Sequence, residues 1–101
     1  AIVCLKIANE GRPNDPVVLD RIGRNYFRLR KYRKAVRYFN RSLSIDGSRT
    51  ITLHNRALAF IEIGKIQSAI QDVELIFVLE PDNNRSSALK KQLDAVNRDR
   101  R

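Results

Sequence analysis

The sequence predicts an all-α fold, a stack of antiparallel helical hairpins with about six helices in 101 residues. Three observations carry this. Side chains of matching size and polarity recur at an offset of thirty-four residues: Leu19 with Leu53, Gly23 with Ala57, Tyr26 with Phe60, Ala35 with Ala69, Phe39 with Val73 and Leu43 with Phe77. Within each unit the apolar residues fall on two separate helical faces. Turn formers stand between those faces, with Gly47, Gly64 and Pro81 at the breaks.

The elements follow in order. Ala1, Leu5 and Ala8 match Ala35, Phe39 and Ser42 one offset later, so residues 1–15 read as the second helix of a truncated unit. Residues 16–49 form the first full unit. Asp15 can cap the first amides, and Pro16 suits the first helical position. Leu19, Ile22, Gly23 and Tyr26 then lie at i, i+3, i+4 and i+7. A second face carries Ala35, Phe39, Ser42 and Leu43, and Gly47 ends it. Residues 50–83 repeat the plan. Leu53, Ala57 and Phe60 form one stripe, and Ala69, Val73, Ile76 and Phe77 the next, up to Pro81, which cannot continue a helix. Residues 84–101 form a terminal helix on Leu89, Leu93 and Val96, with Lys90, Lys91, Arg98, Arg100 and Arg101 on the polar side that the end of such a stack requires. The small residues Gly23, Ala57, Ala35 and Ala69 are placed where helix axes must approach to about 8–10 Å.

Composition narrows the function. Hydrophobic residues at 43% are enough for a modest core, and even the longest apolar runs, Leu75 to Leu79 among them, are far too short to span a bilayer. One cysteine, Cys4, excludes an internal disulfide and reads as buried and inert; with one histidine it leaves too few ligands for a structural zinc site. No Gly-rich phosphate loop, nucleophile–base pair or metal spacing is present, so the expectation is a non-enzyme with no cofactor. The absence of Met and of a targeting segment reads as a piece of a longer intracellular protein, cytoplasmic or, alternatively, nuclear.

The pattern resembles the tetratricopeptide repeat. That motif has a large residue, Leu-Gly and Tyr in its first helix, and Ala, Phe, Ala and Pro in its second. The first copy here shows Leu19, Ile22-Gly23, Tyr26, Ala35, Phe39, Ser42 and Gly47; the second shows Leu53, Arg56-Ala57, Phe60, Ala69, Val73, Ile76 and Pro81. Ser42, Ile76, Arg56 and Gly47 depart from it. The resemblance implies a right-handed superhelix in which the first helix of each pair lines a concave groove. In that family the groove holds an extended peptide or a partner helix, and members are mostly scaffolds and adaptors, co-chaperones among them.

The net charge of +9 is concentrated. From Asp20 to Arg41 nine cations face one acid. Arg21, Arg24 and Arg28 form a stripe that the family geometry turns into the groove, where guanidinium forks can hold carboxylates. Arg30, Lys34, Arg37 and Arg41 form a second row, expected on the second helix outside the groove and suited to phosphates. Asn55, beside the half-exposed groove residue His54, matches one element of the clamp by which some family members hold a chaperone C-terminus, and Arg85 matches another. The clamp is incomplete: Asp20 stands for Lys, Arg24 for Asn and Leu89 for Arg, and a buried Asp20 would repel a carboxylate. Leu75 and Val78, with Val3 and Ile7, lie off the main stripes. They are expected to pack under the terminal helix and against the missing segment, or else to mediate homodimer formation. The leading expectation is a protein-interaction module that takes an acidic or carboxylate-bearing peptide, with RNA binding and self-association as alternatives.

Overall fold

The structure, a computed structural model, describes residues 15–99. The half-unit expected ahead of Asp15, with Val3, Cys4 and Ile7, lies outside the described residues, as do Arg100 and Arg101. Five helices occur among the described residues: α1 (Pro16–Arg28), α2 (Tyr32–Ile45), α3 (Thr50–Glu62), α4 (Ile66–Leu79) and α5 (Ser87–Asp99). Every boundary of α1 and α2 returns thirty-four residues later in α3 and α4. Each helix packs on the next, and α1 also touches α3, its counterpart one repeat on.

Local chemistry sets the helix ends. The Asp15 carboxylate accepts from the backbone N–H groups of Val17 at 2.9 Å and Val18 at 3.4 Å, two of the donors that a helix start leaves unpaired. Asp15→Ala is expected to lower stability by about 1 kcal/mol, with no loss of helix beyond the first turn, as read by urea unfolding and circular dichroism. The α1–α2 turn is a six-residue closure: the Lys31 N–H donates to the Tyr26 carbonyl at 2.9 Å, and the residue between, Arg30, is left-handed at φ 61. The α3–α4 turn is the same, with Lys65 N–H to the Phe60 carbonyl at 2.8 Å around Gly64 at φ 81. Glycine takes this conformation freely, whereas a side chain there costs about 1 kcal/mol. Arg30 is thus part of the turn rather than of α2, which corrects the expectation from spacing alone.

The core has two lobes. Ile22, Tyr26, Ala35, Phe39 and Ala59 form one; Ala57, Ala69, Val73, Leu89 and Leu93 form the other. Gly23 meets the Phe39 ring, and a Cβ at Gly23 would lie 2.5 Å from Phe39 Cε1. Ser42, at a position the repeat fills with a small residue, is buried and donates its hydroxyl to the Pro16 carbonyl at 2.8 Å, tying the end of α2 to the start of α1. Arg56, which stands where the repeat has an apolar residue, reaches three helices. Its Nε donates to Asp72 Oδ2 at 2.8 Å and its Nη1 to Asn40 Oδ1 at 2.9 Å, and its guanidinium lies over the Phe60 ring.

Leu75 and Val78 do not pack under the terminal helix. They are 40% and 74% exposed on the outer side of α4, because α5 seats its Leu89 and Leu93 on Ala57, Ala69 and Val73 instead. Val96 stays at the exposed rim of α5. No described helix is long and apolar enough to cross a membrane.

Candidate peptide-binding groove

The groove face is built from equivalent positions of α1 and α3. Counting thirty-four from Arg21, Arg24 and Arg28 gives Asn55, Leu58 and Glu62. Arg21, Arg24, Asn25 and Arg28 line an open depression of about 230 Å³ along α1. Arg24 and Arg28 also line a cavity of about 300 Å³ shared with Phe27, Phe39, Asn55 and Leu58. Arg24, Arg28 and Asn55 are therefore brought to one place, over an apolar floor, while Arg21 lines only the depression along α1. Leu58, which the charge pattern alone does not single out, was findable as the repeat counterpart of Arg24.

Two donors on the residues lining that cavity make no hydrogen bond. Arg24 Nε and Asn55 Nδ2 are buried and neither has a hydrogen-bond partner. Both atoms are closed off from solvent, so an acceptor from outside reaches them only if these side chains turn toward the groove. Arg24 Nε lies 3.3 Å from Asp20 Oδ2, close enough for charge attraction but outside hydrogen-bond geometry.

Asp20 does not act as the repelling charge expected of it. It is buried, accepts from the Thr52 hydroxyl at 3.1 Å, and lies 3.8 Å from Arg49 Nη2 as well as beside Arg24. Arg49 Nε in turn donates to Thr52 Oγ1 at 3.1 Å. One acid set against two guanidinium groups leaves the cluster cationic. Arg49 and Thr52 flank the start of α3, so charge spacing within α1 gives no sign of them.

His54 has a different task from Asn55. Its Nδ1 and the buried Ser86 hydroxyl are hydrogen-bonded at 2.9 Å, and the Ser86 N–H donates to Asn83 Oδ1 at 2.9 Å. Burial, and then the Arg85 cation, hold the imidazole below its usual range, so it stays neutral near pH 7. Sequence spacing gives no sign of this Ser–His contact, which joins residues thirty-two apart. Because Ser86 is sealed from solvent, the pair serves as a joint between α3 and α5. Arg85 is exposed near that joint. No group of three potential metal ligands occurs among the described residues.

The other expected sites lie elsewhere. Arg37 and Arg41 are exposed on α2, Arg41 over the Tyr38 ring, and Lys34 Nζ sits 5.7 Å from the Tyr26 ring centre.

Comparisons with known proteins agree with this architecture. The tetratricopeptide repeat pattern matches residues 16–48. RNA polymerase II-associated protein 3 of Mus musculus is 33% identical over 83 residues, and that of Rattus norvegicus 35% over 94 residues. These matches span 82% and 93% of the chain but 13% and 14% of the relatives, so the chain spans about an eighth of their length. Among solved structures, the first TPR of Spaghetti (RPAP3) bound to the HSP90 peptide SRMEEVD superposes with a TM-score of 0.89 at 25% identity, covering 94% of this chain and 75% of that one. The first TPR domain of human RPAP3 gives 0.88 at 26% identity, with the same coverage.

Proposed function

Because the chain belongs to the tetratricopeptide repeat family, we propose that it is the protein-interaction module of a scaffold or co-chaperone-like adaptor and takes an acidic, carboxylate-bearing peptide in the groove between α1 and α3. The observation that carries this reading is the convergence of Arg24, Arg28 and Asn55 on one cavity with an apolar floor. A carboxylate can be met there by the exposed part of the Arg24 guanidinium and by the Asn55 amide, and Arg28 adds charge at the rim. Phe27 and Leu58 form an apolar floor on which the peptide's carbon skeleton can rest. The HSP90 peptide held by the Spaghetti domain has two glutamates and a terminal aspartate, the chemistry this groove complements.

The reading differs from a standard chaperone clamp in where charge is offered. Asp20 and Leu89 occupy positions where the clamp has Lys and Arg, and Leu89 is buried in the core. The carboxylate contact therefore shifts to Arg24, Arg28 and Asn55. Titration of labelled SRMEEVD into the protein tests this. Affinity is expected to fall about tenfold in Asn55→Ala and in Arg24→Ala, and to weaken steadily with salt. Affinity indifferent to salt and to both substitutions would refute the groove as the site.

A further inference from the structure

We infer that the corner around the α1–α2 turn is a docking surface for single-stranded RNA, separate from the peptide groove. The strongest observation is Arg30. It holds the left-handed conformation that its counterpart, Gly64, adopts without strain. A side chain kept at such a position points to a task for that side chain. Its neighbours share its character. Arg30, Lys31, Arg33 and Lys34 are all exposed, and none is in an ion pair with a described acid. With Tyr32 and Ile63 they line an open depression of about 290 Å³.

The chemistry of this depression selects the occupant. Four cations surround a floor made of the half-buried Tyr32, held edge-on against Phe27, and of Ile63. A nucleotide has the matching parts: an aromatic base for the floor and a phosphate for the rim. An acidic peptide supplies the charge but no flat base. A rigid duplex keeps its bases stacked inside and cannot place one in the depression, whereas a single strand can. Beside each phosphate, ribose adds a hydroxyl acceptor that deoxyribose lacks, and guanidinium groups are all donors. Lys65, two residues past Ile63, extends the basic corner onto the next repeat, where Glu62 is the nearby acid. The opposite edge of the stack has the reverse balance, with Asp46, Glu80 and Asp82 against Arg49 and Arg85, and Arg49 already faces Asp20. A polyanion is thus directed to one edge only.

The test is fluorescence anisotropy with a labelled 20-nucleotide uridine RNA at several salt concentrations. Three variants are compared with the parent chain: Arg30→Gly, the triple Arg30→Gly/Lys31→Gln/Lys34→Gln, and Asn55→Ala. The parent is expected to bind with a steep salt dependence. The triple variant should reduce the slope of log affinity against log salt by about 2, from about 0.7 per lost phosphate contact. Arg30→Gly should weaken RNA binding about threefold or more while raising the urea midpoint, since glycine removes the left-handed strain. A merely structural residue would not move these two readouts in opposite directions. Asn55→Ala should leave RNA binding unchanged, and Arg30→Gly should leave SRMEEVD binding unchanged, which separates this surface from the groove. Absence of RNA binding at low salt, or an unaltered slope in the triple variant, would overturn the inference. So would equal binding of single-stranded DNA, equal competition by polyglutamate, or equal retention on anionic vesicles; the vesicle arm matters because Leu29, 56% exposed, sits at the same corner.

Discussion

Arg56→Met is expected to destabilise the protein by about 3 kcal/mol, although methionine restores the apolar character usual at that position of the repeat. The reason lies with its partner. Asp72 is buried on α4, and the Arg56 guanidinium engages both of its carboxylate oxygens while also bonding Asn40 on α2. Removing the arginine leaves a buried carboxylate without its cation, and that loss exceeds any gain from the added apolar surface. The double variant Arg56→Met/Asp72→Leu should recover most of the stability, because an apolar pair of similar volume often replaces a buried ion pair at little cost. Urea unfolding of the four proteins in the cycle measures this directly. Additive losses in the double variant would show that the two side chains act independently.

Gly23→Ala is the second large effect, a loss of about 3 kcal/mol from one added methyl group. The new Cβ would lie 2.5 Å from Phe39 Cε1 and 2.7 Å from Cδ1, well inside contact distance. Phe39 is fully buried and sits among Ile22, Tyr26, Ala35 and Ala59, so its ring can yield only toward the groove cavity it borders, at the cost of those contacts. The second repeat needs no glycine at this place: Ala57 is the counterpart of Gly23, and Val73 is the counterpart of Phe39. Small-with-large in one unit becomes medium-with-medium in the next. Gly23→Ala should therefore be rescued by Phe39→Val, a pairing the chain already uses thirty-four residues later. If the double variant is no more stable than Gly23→Ala alone, steric conflict with this ring is not the cause. In a small repeat domain, whose stability comes largely from neighbour interfaces, a loss of this size removes much of the total.

The hairpin stack was legible in the sequence because it depends on periodicity. Gly23, Phe39, Ala57 and Ala69 could be placed at helix contacts from register alone, and Asp15-Pro16 marked a helix start that the structure shows capped. Arg30 was misplaced because the spacing of four to Lys34 imitates a helical row; its left-handed backbone is revealed only by comparison with Gly64. Leu75 and Val78 were expected under the terminal helix because apolar side chains are usually covered. Their exposure follows from where α5 seats Leu89 and Leu93, on Ala57, Ala69 and Val73, and no periodicity encodes that.

The groove divides along the same line. That Arg21, Arg24 and Arg28 share a face with Asn55 follows from helical spacing and the repeat offset. Which charges remain available does not follow. Asp20 is compensated by Thr52, thirty-two residues away, and by Arg49, while Arg56 is committed to Asp72 and Asn40. Sequence by itself determined the repeat, its register and the concentration of arginine in one unit, since these depend on the order of side chains along the chain. Only tertiary structure decided which of those cations are paired, which donors make no hydrogen bond and which turn is strained, because each depends on distances between groups that folding brings together from different helices.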